Sequence, residues 1–148
     1  MTTNEIEAAN RAEVTAILIR TGNRVYRPEA DVSGEDLVIR RLGNDALLLV
    51  QMKSRPMVHS FLYGGRNIWM LFPDPVGDIP GRPWFLIKHD ELFEWFKGQH
   101  GALSGWEKRS KANLAEWSEK RISNKLGEFL YQFKLPLPSR STKGKQRP

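Results

Sequence analysis

Asp36, Gln51 and Lys53 are the residues whose types and spacing suggest chemistry in this chain. The segments 35–39 and 45–53 are predicted strands, joined by a Leu-Gly-Asn-Asp sequence that favours a turn because Gly and Asn tolerate positive φ. Antiparallel pairing around this turn matches positions whose numbers sum to about 87, which places Asp36 opposite Gln51. Opposed side chains lie roughly 5 Å apart at Cβ, and Lys53 shares the face of Gln51 because side chains alternate along a strand. We therefore expect a carboxylate, an amide oxygen and an ammonium group to converge at one end of a buried hairpin.

These three groups would suit a site for a hard divalent cation. Mg²⁺ takes oxygen ligands, keeps several waters and accepts one or two carboxylates. Asp36 and Gln51 would each supply an oxygen, and Lys53 would lie beside an activated water or a phosphate. The alternative is a surface hairpin on which Asp36 and Lys53 form an exposed ion pair, an interaction of little energetic value.

A fourth polar residue, Glu13, lies on the apolar side of the first predicted helix. That helix is expected from about Asn4 to Arg20, with Gly22 ending it. Glu13 follows one isoleucine of the stripe by seven residues and precedes another by four, and both spacings place it on the same side of a 3.6-residue helix. An acid that faces a core needs a positive or donating partner. Besides a cation at the hairpin, that partner could be a structural arginine such as Arg24 or Arg55, or water at the edge of the stripe.

The remaining segments alternate between strands and helices, which predicts an α/β fold. Strands are predicted at 24–28, 67–72 and 84–87, and a short amphipathic helix at 90–97. A capping-box sequence at 104–107 predicts a long helix that continues to about residue 133. Because the second hairpin strand is apolar on both faces, we expect a central sheet that is covered on both sides.

The composition indicates one globular domain. The chain has 148 residues, of which 40% are hydrophobic and 27% charged, values typical of a folded domain with a real core. The absence of cysteine excludes a disulfide framework and a thiolate metal site. No apolar run approaches the roughly 18 residues of a membrane span, and the polar N-terminus is unlike a secretory signal. We expect a soluble, cytoplasmic protein with a single domain at 1–134 and a basic, disordered tail at 135–148.

The net charge of +6 comes entirely from the C-terminal part of the chain. Residues 1–105 hold 12 Lys and Arg against 13 Asp and Glu, whereas residues 106–148 hold 11 against 4. Such an excess favours a polyanion partner, since Lys and Arg gain by displacing counterions from phosphates; a solubilising tail is the alternative. The candidate nucleic-acid-binding residues are Arg55, Lys108, Arg109, Lys111, Arg140, Lys143 and Lys145.

The order and spacing of these residues resemble the PD-(D/E)XK nuclease superfamily. The matching positions are Glu13, Gly22, Val25, Pro28, the run Gly34–Ile39 and the run Val50–Lys53. The resemblance covers the first helix through the second hairpin strand, and continues more loosely through the two later strands. It implies a restriction-endonuclease-like fold, in which a mixed central sheet of about four or five strands is flanked by helices. It also implies hydrolysis of DNA with Mg²⁺ or Mn²⁺.

The resemblance implies a role for each matching polar residue. Asp36 corresponds to the acidic metal ligand, Lys53 to the motif lysine and Glu13 to the helix acid. The implied catalytic set is therefore Glu13, Asp36, Gln51 and Lys53, with Asp36, Gln51 and Glu13 as metal ligands. Gln51 departs from the motif, because most members have Asp or Glu at this position. A glutamine has one negative charge fewer than either acid, which should weaken metal binding. A Gln-x-Lys version is nevertheless similar to that of intron-encoded homing endonucleases. The motif proline is also missing next to Asp36.

Three functions follow from these observations. The first is a metal-dependent DNA endonuclease that acts as a homodimer or homotetramer, because duplex cleavage generally needs two active sites. The second is a nucleic-acid-binding module that keeps the fold but has lost metal chemistry through Gln51. The third is an interaction protein with no nucleic-acid role.

Overall fold

The computed structural model describes residues 1–28, 36–43, 46–76, 79–100 and 116–137. In chain order, its elements are α1 (Thr3–Arg20), β1 (Asn23–Tyr26), β2 (Leu37–Arg41), β3 (Leu47–Met52), β4 (Met57–His59), α2 (Ser60–Tyr63), β5 (Ile68–Pro73), β6 (Trp84–Lys88), α3 (His89–His100), β7 (Glu116–Ser118), α4 (Asn124–Leu130) and a 3₁₀ turn (Tyr131–Phe133). Within these ranges no helix has both the length and the apolar character needed to cross a membrane.

Five strands form the central sheet, in the spatial order β1-β2-β3-β5-β6. The first three are antiparallel neighbours, β5 runs parallel to β3, and β6 runs antiparallel to β5. A parallel pair needs a crossover connection, and the segment that carries β4 and α2 supplies it. The predicted α/β fold with a mixed central sheet of four or five strands is therefore confirmed.

The register between β2 and β3 is the one that the turn predicts. Leu37 pairs with Val50, so paired positions sum to 87. Gly43 in the connection has a φ of +90°, a conformation that glycine adopts without steric cost. Asp36 directly precedes β2 and Lys53 directly follows β3. Because the two strands are antiparallel, both residues lie at the same end of the hairpin.

The sheet separates two apolar clusters. Val14 and Leu18 of α1 belong to one cluster, whereas Phe96 of α3 and Leu130 of α4 belong to the other. In β5, Leu71 joins the α1 cluster and its two neighbours join the other one, as expected from the alternation of side chains along a strand. Helix α1 therefore packs on the sheet face opposite to α3 and α4.

The prediction of a long C-terminal helix is wrong at residues 116–118, which form strand β7. Residues 116–118 pair with β4 in an antiparallel two-stranded sheet, and α4 begins only at Asn124. Tertiary contacts outweigh helix propensity here: Trp117 pairs with Val58 and its ring stacks on His100, with the centroids 4.1 Å apart. The predicted start of the helix at 104–107 lies outside the described residues.

The beginning of the predicted tail is packed against the domain. Leu135 is 9% exposed, and its N–H donates to the carbonyl oxygen of Trp84 over 2.9 Å. Arg41 Nη2 also donates to the carbonyl oxygen of Leu137 over 3.3 Å. These contacts extend the packed domain beyond the predicted boundary at residue 134. The rest of the predicted tail, 138–148, lies outside the described residues.

Candidate functional site

Asp36 and Gln51 are joined by a side-chain hydrogen bond at the end of the β2–β3 hairpin. Nε2 of Gln51 donates to Oδ2 of Asp36 over 3.0 Å, and the main-chain N–H of Met52 donates to the same oxygen over 3.1 Å. The N–H of Asp36 in turn donates to the carbonyl oxygen of Val50 over 2.7 Å. The structure thus brings the aspartate and the glutamine together, as the register predicts, and backbone groups hold the carboxylate in place.

The amide oxygen of Gln51 is buried and has no hydrogen-bond partner among the described residues. Gln51 is 9% exposed, so its amide group is almost completely removed from bulk water. A buried acceptor without a donor costs about 1–3 kcal/mol, and folded proteins contain few of them. This oxygen is therefore suited to a cation or to a donor from a ligand.

Lys53 lines the same cavity as Asp36 and Gln51, a space of about 350 Å³. The main-chain N–H of Lys53 donates to the carbonyl oxygen of Leu71 over 2.9 Å, which ties this residue to β5. Its ammonium group lies 5.5 Å from the centroid of the Tyr63 ring, a distance typical of a cation–π contact. Tyr63 is not among the described residues that line this cavity, so the ammonium group points toward a neighbouring ring. Asp36, Gln51 and Lys53 therefore all contribute to the lining of one cavity. We call it the hairpin cavity.

Helix α1 supplies another wall of the hairpin cavity. Its contributing residues are Thr3, Ile6, Glu7, Asn10 and Arg11, whose spacings of three and four residues put them on one side of the helix. Glu7 is thus the helix acid that lines the cavity. Sequence reasoning missed it because Glu7 lies in the exposed first half of the helix. The available signal was the polar i, i+3, i+4 set of Glu7, Asn10 and Arg11.

Glu13 is not among the described residues that line the hairpin cavity, so the structure does not bring it together with the other three predicted site residues. Its Oε2 accepts hydrogen bonds from Nε of Arg82 at 2.9 Å and from Nε1 of Trp84 at 2.7 Å, and its Oε1 accepts from Nη2 of Arg82 at 2.8 Å. The hydrogen bonds from Arg82 hold the pKa of the Glu13 carboxyl below its ordinary value, although partial burial acts in the opposite direction. Glu13 therefore partners a structural arginine, as the alternative interpretation held, but that arginine is neither of the two considered from the sequence.

Two further cavities adjoin the hairpin cavity at residues 53–55. The larger, of about 630 Å³, is lined by Arg55, Arg82 and Lys120 among others, and no Asp or Glu occurs among the described residues that line it. The smaller, of about 400 Å³, is lined by Lys53, Arg55 and Trp117 among others, and its described lining includes the acid Glu116. We call the three cavities together the basic groove.

Arg55 is the one predicted nucleic-acid-binding residue within the described ranges. It is exposed and lines both cavities that adjoin the hairpin cavity. The other six, Lys108, Arg109, Lys111, Arg140, Lys143 and Lys145, lie outside the described residues. The structure adds Lys120, which sequence reasoning did not single out, to the cations of the basic groove.

The hairpin cavity suits a hard divalent cation in the type of its ligand atoms. Asp36 and Glu7 offer carboxylate oxygens and Gln51 an amide oxygen, the ligand types of Mg²⁺ and Mn²⁺. The buried Gln51 oxygen without a partner fits such a ligand. Protein ligands are few, because the part of the chain that the structure describes contains no group of three Asp, Glu or His side chains placed to hold a metal. A cation bound here would keep several waters.

The arrangement combines an oriented carboxylate, an amide oxygen and a nearby positive charge at the end of two neighbouring strands. Such a set can hold a cation and can stabilise negative charge that develops on a bound phosphate. Comparison of the chain with protein-family models, with curated proteins and with solved structures gave no match in any of the three.

Proposed function

We propose that the chain is a divalent-metal-dependent endonuclease that hydrolyses phosphodiester bonds in DNA. The observation that carries this proposal is the convergence of Asp36, Gln51 and Lys53 in the hairpin cavity. These are the residues in which the chain resembles the PD-(D/E)XK motif. Their positions at the ends of adjacent strands of a mixed sheet fit that resemblance.

Each residue of the hairpin cavity has a separate task in this proposal. Asp36, Gln51 and Glu7 would hold Mg²⁺ or Mn²⁺, which supplies a Lewis acid and activates water at neutral pH. The N–H of Met52 holds the Asp36 carboxylate in its orientation. The ammonium group of Lys53 stabilises negative charge as it develops on the phosphate oxygens. The ring of Tyr63, next to that ammonium group, restricts where it can lie.

DNA as the substrate is supported by the charge of the chain and by the basic groove. The net charge is +6, and the described lining of the larger adjoining cavity includes arginine and lysine but no carboxylate. Contacts of Arg55 and Lys120 with phosphates would position the strand without reading its sequence. A homodimer or homotetramer would supply the second active site that cleavage of both strands needs.

A nucleic-acid-binding module without catalysis is the second candidate, and one contact favours it. Gln51 donates its amide hydrogen to Asp36, so the carboxylate is stabilised without a cation. Two acids at these positions would repel each other and would need a cation between them. The proposed module would bind DNA through the basic groove and leave it intact.

Incubation of the purified protein with supercoiled plasmid tests the proposal. We expect nicked and linear products with Mg²⁺ or Mn²⁺, and intact plasmid with EDTA. Intact plasmid under all metal conditions, together with DNA binding that weakens steeply with salt, would establish the binding module instead, since the slope of log K against log salt is about −0.9 per phosphate contact. Absence of cleavage together with a shallow slope of log K against log salt would favour the third function, an interaction protein with no nucleic-acid role.

A further inference from the structure

Arg11, which lines the hairpin cavity, carries a second buried polar atom without a hydrogen-bond partner. Nε of Arg11 and Oε1 of Gln51 are both buried without a hydrogen-bond partner within the described ranges. Three buried side-chain atoms of this kind occur in that part of the chain, the third being Oδ1 of Asp74. Two of the three therefore belong to residues that line one cavity. One is a donor and the other an acceptor, so a ligand that satisfied both would offer an acceptor to Arg11 and a donor or a cation to Gln51.

Among the described residues, no ion pair explains the position of Arg11. Glu7 precedes it by four residues, a spacing at which opposite charges on a helix often pair. The ion pairs within the described residues nevertheless involve other side chains. Arg82 is the contrasting case, because its Nε and Nη2 donate hydrogen bonds to Glu13 and Asn10. Glu13 of α1 therefore neutralises Arg82, whereas no ion pair within the described residues neutralises Arg11.

We propose that Arg11 and Lys53 form a phosphate-binding site in the hairpin cavity. A guanidinium group presents a planar fork of donors that matches two oxygens of a phosphate, and an ammonium group acts as a compact point charge. The phosphate satisfies the buried donor of Arg11. A divalent cation that accompanies it satisfies the buried acceptor of Gln51. The identity of this phosphate as part of a DNA strand rests on the proposed function, whereas the phosphate site itself does not.

The charges around the cavity make phosphate and cation binding mutually dependent. Glu7 and Asp36 oppose an anion, while Arg11 and Lys53 oppose a cation. Each ligand therefore weakens the repulsion that the other meets, and linkage requires the effect to be reciprocal. We expect phosphate to bind more tightly when Mg²⁺ is present, and Mg²⁺ to bind more tightly when phosphate is present.

Titration of ¹⁵N-labelled protein in EDTA tests the site without any need for catalysis. The probes are inorganic phosphate and the dinucleoside phosphate TpT, and amide shifts are followed in α1 and at residues 51–53. Arg11→Gln should weaken binding of the better probe by at least about tenfold, because a hydrogen-bonded charge is lost. Arg11→Lys, which keeps the charge without the fork, should fall between this variant and the wild type. Arg20→Gln, an exposed site in the last turn of the same helix, is the matched control and should bind as the wild type does.

The two probes separate the sources of the phosphate. Binding of TpT points to a nucleic-acid backbone, and binding of inorganic phosphate alone points to a free phosphate or a phosphomonoester. The site is refuted if the wild type binds neither probe saturably, or if Arg11→Gln and Arg11→Lys, shown to be folded by circular dichroism, bind as tightly as the wild type. Phosphate binding through Arg11 in a protein that cuts no DNA would retain the site and remove the nuclease. If the protein cuts DNA and Arg11→Gln binds the probes as tightly as the wild type, the nuclease proposal would stand and the phosphate site would be refuted.

Discussion

The amide nitrogen of Gln51 lies 3.0 Å from the carboxylate oxygen of Asp36 and donates a hydrogen bond to it. A glutamine at this position stabilises the aspartate without a cation, whereas a second carboxylate would repel it. Compared with Asp or Glu at this position, glutamine also has one negative charge fewer to attract a metal ion. If the hairpin cavity binds a metal ion as proposed, Gln51 should keep the cavity stable without the ion and should lower its affinity for the ion.

Gln51→Glu should therefore make the stability of the protein depend on Mg²⁺. The facing carboxylate of Asp36 should raise the folded-state pKa of the introduced carboxyl. Its contribution to stability is then fully present below the unfolded-state pKa of about 4.3 and is lost as the pH rises through the folded-state pKa. At neutral pH the variant should melt below the wild type in EDTA, and Mg²⁺ should recover much of the difference. Thermal unfolding with and without Mg²⁺ measures the effect, with Gln99→Glu on the exposed side of α3 as control. Equal responses of variant and wild type to Mg²⁺ would contradict a cation site at these two residues.

Lys53→Met should reduce DNA cleavage while leaving DNA binding nearly unchanged. Loss of a single preorganised group that stabilises transition-state charge lowers kcat by about 10²–10³-fold. Lys88→Met is a matched control, because Lys88 also lies over an aromatic ring, 5.8 Å from the centroid of Trp69, but does not line the hairpin cavity. Cleavage rates on supercoiled plasmid and binding by fluorescence anisotropy separate the two effects. Similar rates for both variants would exclude a role for Lys53 in the chemistry.

Asp36→Ala should destabilise the fold more than Asp36→Asn. Alanine leaves Nε2 of Gln51 and the N–H of Met52 without their acceptor. A buried donor that loses its hydrogen-bond acceptor costs about 1–3 kcal/mol of unfolding free energy. Asparagine keeps one acceptor oxygen and should recover part of that free energy. Urea denaturation of the two variants measures the difference, and equal unfolding free energies would show that these hydrogen bonds contribute little.

The hairpin end of the site was predictable because local rules determine it. A turn with glycine at positive φ sets the register, and alternation along β3 then places Gln51 against Asp36. The phase of α1 was also informative, because Glu13 does face inward and meets buried partners. Its partner was not predictable, because Arg82 is 69 residues away in sequence.

The remaining parts of the site depend on packing between distant segments. Glu7 and Arg11 share the face of α1 that carries Val14 and Leu18, but their polar types predict solvent exposure, and only the packing of that helix near Asp36 places them at a cavity. Strand β7 has three residues, too few for a period of two to be distinguished from a helix. Its structure depends on the edge of β4, which lies almost 60 residues earlier in the chain, as the pairing of Val58 with Trp117 shows.

Glu13→Gln should lower stability at neutral pH without removing a metal ligand. The carboxylate of Glu13 neutralises Arg82, whose side chain is 7% exposed. Loss of that charge should cost about 1–3 kcal/mol. The pKa of Glu13 lies below its ordinary value of 4.5, so its contribution is present above that pH and is lost as the pH falls through the folded-state pKa. The gap in unfolding free energy between wild type and variant should therefore narrow below about pH 4.5, whereas the exposed control Glu94→Gln should leave stability unchanged.

The same variant, compared with Glu7→Gln, decides which acid of α1 serves the site. At a temperature where both variants are folded, Glu7→Gln should weaken Mg²⁺-dependent cleavage, because Glu7 lines the hairpin cavity. Glu13→Gln should retain it, because both carboxylate oxygens of Glu13 are already engaged by Arg82 and Trp84. Cleavage rates measured across a Mg²⁺ titration distinguish the two residues. Loss of cleavage in Glu13→Gln with normal cleavage in Glu7→Gln would restore Glu13 as the ligand, and would require the contact between Glu13 and Arg82 to break when metal binds.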